Sequence, residues 1–205
     1  MRSYIGYTAL YGGSFDPPHV GHQMACLVLL SLFEVKQVWM LPVFQHPLGK
    51  PLTNFAHRVA MCRKLLLPFG QHAVVSSLEK TLGENRTYEV VLRLQKRFPK
   101  RRFCLAVGAD VLAEAPKWHR YRDLEKLLPI VVLGRATYVT ASPLVEIPNI
   151  SSSEVRERLL GGQAISGLVP ASVAAYITEH QLYVQHPKIT QASCPDIVST
   201  VTRSL

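Results

Sequence analysis

The chain has 205 residues, 48% of them apolar and 18% charged, and 23 Lys and Arg against 14 Asp and Glu give a formal net charge of +9. That length suits one domain with decoration or one domain plus a small appendage, the composition excludes a disordered chain, and no apolar run of about 18 residues offers a membrane span. The basic balance favours anionic partners, nucleotides and nucleic acid alike, while the four cysteines (Cys26, Cys62, Cys104, Cys194) form no C-x-x-C pair that would suggest a disulfide framework or a zinc site. Met1 to Gly6 lacks the apolar run of a signal peptide, so the expected compartment is the cytoplasm.

Tyr7 to Leu10 reads as a buried first strand, and Gln23 to Phe33 as the first helix. Between them lies Tyr11-Gly12-Gly13-Ser14-Phe15-Asp16-Pro17-Pro18-His19-Val20-Gly21-His22. Two adjacent glycines where a strand becomes a loop predict a tight turn and a close approach that a Cβ atom would prevent, and phosphate is the expected visitor. Pro18 disfavours the α region at Pro17, so a helix can hardly begin earlier, which places Asp16 or its neighbour near the N-cap. The exposed N–H groups of that helix start make an anion site. His19 and His22, three apart, share a face where they can supply adjustable positive charge to a leaving group. The plainer reading is a capped helix with two solvated histidines; a zinc pair lacks an evident third ligand.

Lys36 to Val43 predicts a second strand closed by Pro42, followed by a proline-rich loop from Phe44 to Asn54. Phe55 to Leu67 is a helix stopped by Pro68 and Gly70, and Ala73 to Ser76 is a short strand. Thr87 to Phe98 is the next helix, and Phe103 to Val107 an apolar strand that Gly108-Ala109-Asp110 turns into a short helix. Trp118 to Leu128 adds helix, Pro129 to Leu133 a strand, and Val145 to Ile147 a brief one. Ser151 or Ser153 caps a helix that runs to Leu160 and stops at Gly161-Gly162, and a last helix covers Ala171 to His180. Alternating strands and helices imply an α/β, Rossmann-like doubly wound fold, with a mostly parallel sheet and helices on both faces. The expected domain is 1–185, including a small C-terminal helical part at 150–185, with 186–205 as a tail.

Ile150-Ser151-Ser152-Ser153-Glu154-Val155-Arg156 opens a helix with hydroxyls and N–H groups and sets Arg156 at the end of the first turn, a second anion cradle. Alone it reads as ordinary capping, since Ser151 and Glu154 match a capping box and Glu154 with Arg158 an i,i+4 pair.

The first segment resembles the G-G-x-F-D-P-x-H-x-G-H signature of the nucleotidyltransferase superfamily related to class I aminoacyl-tRNA synthetases, and is most similar to nicotinate-nucleotide adenylyltransferases. The second resembles that superfamily's I-S-S-T-x-x-R element, with Ser153 where threonine is usual. The resemblance covers about Tyr7 to Tyr183. It implies transfer of AMP from ATP to nicotinate mononucleotide, giving nicotinate adenine dinucleotide and pyrophosphate in NAD biosynthesis. His19, His22 and Arg156 are then catalytic. ATP would meet Gly12, Gly13, Ser14, Phe15, His19, Gly21 and His22 at the first motif, and Ile150, Ser151, Ser152, Ser153 and Arg156 at the second. Gly108 and Asp110 match the family's G-x-D-x-L, the aspartate facing nucleotide, and Arg135 is a further phosphate contact if it is not simply solvated.

For the acceptor, the resemblance implies Thr87 and Tyr88 near the pyridine ring and Trp118 stacked on it, against a plain packing role for Trp118; stacking with a cation–π contribution is sound chemistry there. His46 and Lys50 stand where the family has adjacent histidine and basic residues, and their separation leaves the acceptor open to nicotinamide mononucleotide or phosphopantetheine. Trp39 is expected in the core. No metal-ligand set of protein residues is expected; Mg²⁺ would be bound mainly through ATP phosphates. Expected partners are ATP and a pyridine mononucleotide, with no membrane and with homo-oligomerisation open. The rivals are a nucleic-acid binder using Arg93, Lys96, Arg97, Lys100, Arg101 and Arg102, disfavoured because that run reads as the solvated face of a helix and its exit, and a nucleotide sensor without turnover.

Overall fold

A computed structural model describes residues 3–46, 49–78, 80, 86–134 and 147–184, without the side chains of Asp110 and Ala113. Five strands, β1 (Tyr7–Gly13), β2 (Gln37–Pro42), β3 (Ala73–Val75), β4 (Arg102–Gly108) and β5 (Ile130–Leu133), form one sheet of order β3-β2-β1-β4-β5. Every pairing is parallel. The helices are α1 (Val20–Ser31), α2 (Phe55–Leu66), α3 (Thr87–Arg97), α4 (Ala109–Glu114), α5 (Tyr121–Leu127), α6 (Ser152–Leu160) and α7 (Ala171–Glu179).

The strands are apolar at nearly every position because both faces of a parallel sheet are covered. Successive side chains alternate between two cores. Ala9, Tyr11, Val38, Met40, Cys104 and Ala106 pack with α1, α2, α6 and α7. Leu10, Trp39, Leu41, Phe103, Leu105 and Val107 pack with α3 and α5 on the other face. Trp39 is core, as expected, with its Nε1 donating to Gln37 Oε1 at 2.8 Å. Burial pushes the Cys26 thiol up to about 12 and that of Cys104 to about 12.

The sheet's switch point lies between β1 and β4, which are neighbours although β2 and β3 intervene in sequence. Their ladder ends at Tyr11↔Ala106. Beyond it β1 follows β2 as far as Gly13↔Pro42, and β4 follows β5 as far as Gly108↔Leu133. The two carboxyl ends therefore part, opening the crevice where doubly wound folds bind ligands.

Two helix starts differ from expectation. α1 begins at Val20 rather than Gln23, and its N-cap is His19, extended at φ −135° and ψ 174°, not Asp16. The prolines keep the chain out of helix through Pro18, and the N–H of Val20 finds the Leu168 carbonyl at 2.8 Å, so the helix starts as soon as they release it. In place of a helix from Trp118, a 3₁₀ turn covers Ala115–Lys117, and α5 starts only at Tyr121 because Arg120 is left-handed at φ 56°. Of the brief strand expected at Val145 to Ile147, only Ile147 is described, donating its N–H to Gly134 O at 3.2 Å. The expected tail, 186–205, lies outside the described residues. No described helix is long and apolar enough to cross a membrane.

The basic run past α3 is partly fastened to the sheet. Arg101 donates to Thr8 Oγ1 and Gln37 Oε1 and lies 4.9 Å over the Trp39 ring, while Arg102 donates to Ile5 O and covers Tyr7.

Candidate active site

The glycine turn sits at the carboxyl end of β1, on the edge of the crevice, and its two glycines serve different ends. A Cβ on Gly12 would meet nothing within 4 Å, so that backbone is open to a ligand. A Cβ on Gly13 would strike the Phe15 ring at 2.9 Å, so Gly13 is small for packing. The left-handed residue of the turn is Phe15, at φ 49°, with its ring edge-on to Tyr11 and His22.

His19 and His22 come together, not on one helical turn but as the N-cap and third residue of α1, with ring centroids 3.6 Å apart. The His19 N–H donates to His22 Nδ1 at 3.1 Å, which assigns the proton of a neutral His22 ring to Nε2. His19 is only 2% exposed. Its ring fits because residue 21 is glycine, where a Cβ would lie 3.0 Å from His19 Nδ1 and 3.5 Å from Pro148 O. The segment leading into α6 is thus already in contact range of the first motif.

The second motif docks on the first. Ser151 is the N-cap of α6, chosen over Ser153, and accepts from Glu154 N at 3.1 Å. Glu154 pairs with Arg158 at 3.0 Å, as its spacing predicted. Ser152 Oγ donates to Pro17 O at 2.8 Å, and Arg156 Nη1 donates to Asp16 O. Arg156 Nη2 reaches Ser153 Oγ at 3.2 Å, so part of the guanidinium steadies the loop and its own helix start. Ile150 sits half-buried at the entry, its N–H on Pro148 O at 2.8 Å.

Sequence reading did not foresee the roles of two organising residues of this junction. Asp16 is 4% exposed, and its carboxylate accepts the Thr53 N–H at 3.0 Å and the Tyr183 hydroxyl. The Asp-Pro pair placed Asp16 in the signature, but nothing in the chain signalled a partner 167 residues away. Arg58 is 1% exposed and donates to the carbonyls of Ser14, Val43, Phe44 and Thr53. Its buried charge ties Ser14 to the following loop; the family resemblance marks Arg58 by position after the His46–Lys50 loop, but no sequence signal gave it this carbonyl-binding role.

The proposed acceptor residues gather more loosely. Tyr88 is 6% exposed in the α3 core, under the Arg120 guanidinium at 4.2 Å, with Thr87 half-buried beside it. Trp118, half-buried, packs on the same core, edge-on to Tyr121. His46 is half-buried and Lys50 exposed, and burial together with the Lys50 charge holds the His46 imidazole below its usual range. The two lie close enough in space to interact although separated in sequence. Gly108 caps α4 at the end of β4, across the crevice from β1. The Asp110 side chain and all of Arg135 lie outside the described residues.

Residues 10–158 match a family model described as cytidylyltransferase-like. Relatives from Anaeromyxobacter dehalogenans strain 2CP-1 and Myxococcus xanthus strain DK1622, each named "Probable nicotinate-nucleotide adenylyltransferase", are 40% identical over 178 and 177 residues, spanning 85% of this chain and 95% and 93% of theirs. Among solved structures, Plasmodium falciparum nicotinic acid mononucleotide adenylyltransferase, complexed with APC, shares the fold at a TM-score of 0.74 and 22% identity, covering 87% of this chain and 97% of that one. The same enzyme complexed with NaAD gives a TM-score of 0.73 at 21% identity over 86% of this chain and 97% of its own. With a five-stranded parallel sheet, both motifs docked at its switch point, and relatives alike over nearly their full length, this chain belongs to the cytidylyltransferase-like family and, within it, to the nicotinate-nucleotide adenylyltransferases.

Proposed function

We propose that this protein transfers AMP from ATP to nicotinate mononucleotide, releasing pyrophosphate and forming nicotinate adenine dinucleotide, a step of NAD biosynthesis. The observation that carries the reading is the docking of the α6 start on the α1 start, through Ser152 on Pro17 and Arg156 on Asp16. One triphosphate can then face both helix N-termini at once.

The acceptor phosphate, mostly dianionic at pH 7 with a second pKa of about 6, attacks the α-phosphorus without a general base. Its oxygen bonds to that phosphorus as the bridge to the β-phosphate breaks, and pyrophosphate departs. The protein's part is positioning and charge stabilisation. In our reading the open backbone at Gly12 admits the triphosphate, past Gly13, Ser14, Phe15 and Gly21. His19 and His22 meet the charge growing on the leaving group, His22 as an Nε2–H donor because its Nδ1 accepts the His19 N–H. The N–H groups at Ser152 and Ser153, beside Ile150 and Ser151, and the Arg156 guanidinium hold the β- and γ-phosphates. Gly108, Asp110 and Arg135 belong to the ATP side of the crevice, and Thr87, Tyr88, Trp118, His46 and Lys50 to the acceptor side.

No group of three or more His, Cys, Asp or Glu gathers among the described residues, and the Asp16 carboxylate is engaged by Thr53 and Tyr183. That donor set fits a Mg²⁺ carried by phosphate oxygens and water, where it would offset phosphate charge. We assign residues 1–185 to one nucleotidyltransferase domain, acting in the cytoplasm. The test is incubation with Mg·ATP and nicotinate mononucleotide, nicotinamide mononucleotide or 4′-phosphopantetheine, with product identified by mass. Nicotinate adenine dinucleotide with stoichiometric pyrophosphate supports the reading; ATP consumed only with another acceptor, or not at all, overturns it.

A further inference from the structure

The junction between the motifs has a third member that neither motif contains. Tyr183, four residues beyond the end of α7, turns back at φ 61° and donates its hydroxyl to Asp16 Oδ1. Asp16 Oδ2 takes the Thr53 N–H at 3.0 Å, and Asp16 O takes Arg156. One buried residue is therefore held by three segments, and it stands three residues before His19 in the backbone turn that sets both histidines. A second tie from the same C-terminal part runs from the Val20 N–H, next to His19, to Leu168 O at 2.8 Å.

We propose that Tyr183 is a positioning residue for AMP transfer, fixing through Asp16 the turn that carries His19 and His22 and the carbonyl that orients Arg156. This deepens the proposed function and rests on it for the kinetic part. A buried carboxylate that loses a donor seeks another, and the donors within reach are the Thr53 and Arg156 groups that now hold the loop. Burial, followed by the Asp16 carboxylate, raises the Tyr183 phenol above its ordinary range, so the hydroxyl stays a donor across the working pH range. The stretch from Leu168 to Tyr183, which supplies none of the residues assigned to nucleotide, thereby shapes the proposed phosphate site.

The test compares Tyr183→Phe with Tyr176→Phe, which removes another hydroxyl of the same C-terminal part, bonded to His57 at 3.0 Å and not to Asp16. Two readouts are taken on the full chain: imidazole NMR resonances, assigned by single His→Gln variants, and steady-state kinetics normalised to folded protein. The expected result for Tyr183→Phe is displaced His19 and His22 resonances, a kcat lower by about tenfold, and a KM for nicotinate mononucleotide within about twofold of wild type. Tyr176→Phe leaves His19, His22 and kcat unchanged. Unmoved His19 and His22 resonances in Tyr183→Phe overturn the proposal whether or not the wild type turns over. Unchanged kcat in an active enzyme overturns it too, as does a loss shared equally by Tyr176→Phe, which would mark a purely structural role. A wild type without turnover defeats the functional reading separately, and with it the kinetic half of the proposal.

Discussion

Ser152 gives its hydroxyl hydrogen to the carbonyl of Pro17 at 2.8 Å, closing 135 residues of chain into one junction between the two helix starts. A lone serine before a helix is ordinary capping; one that caps nothing of its own helix and instead holds another helix's entry loop is an assembly contact. Ser152→Ala should cost about 0.5–1.5 kcal/mol of stability, the net worth of a typical hydrogen bond, and lower kcat/KM for ATP up to about tenfold. Thermal unfolding and initial-rate kinetics check both, and an unchanged kcat/KM would mean that the loop holds its place without this bond.

The glycine turn separates packing from binding. Gly13→Ala should destabilise by about 1–3 kcal/mol, since its Cβ would lie 2.9 Å from the Phe15 ring in a packed core. Gly12→Ala has open space and should melt with the wild type, yet raise KM for ATP by about tenfold or more as its methyl enters the phosphate path. Matched melting and KM values in the two variants would contradict this division.

Most of the sheet was legible in the sequence, because β1, β2, β4 and β5 are apolar runs between helical patterns and nothing else fits so much continuous hydrophobicity at that length. The start of α1 was misread because local rules speak to the prolines and to Asp16, whereas the helix begins where Leu168 supplies an acceptor from far along the chain. Both motifs could be named from residue order, but their docking depends on Pro17 and Asp16 meeting α6, and on Pro148 meeting Gly21, in space. Arg58 illustrates the same gap: a basic residue on a helix is ordinarily solvated, and only the fold reveals four carbonyls around it. Tyr183 had no sequence signal, since its single distant partner leaves no periodic trace.

In the proposed mechanism His22 bears on chemistry more than on folding. Removing one preorganised donor from a charge-stabilising site lowers kcat by about 10²–10³, and His22→Ala should fall in that range with little loss of stability. His19 is also the N-cap, so His19→Asn, which keeps a capping side chain, is the variant that separates the ring's role from the cap's. Wild-type kcat in both variants would remove the imidazoles from the mechanism.

Trp118 tests the acceptor side. Trp118→Ala should raise KM for nicotinate mononucleotide about tenfold while KM for ATP stays within about twofold, as expected for lost stacking on a pyridine ring. The reverse pattern in two-substrate kinetics would put the acceptor elsewhere in the crevice.

The most direct measurement is a crystal structure of the protein with a non-hydrolysable ATP analogue. We expect its β- and γ-phosphates between the Gly12–Gly13 backbone and the N–H groups of Ser152 and Ser153, with His22 and Arg156 in hydrogen-bonding range. A triphosphate bound to only one of the two helix starts would contradict the account.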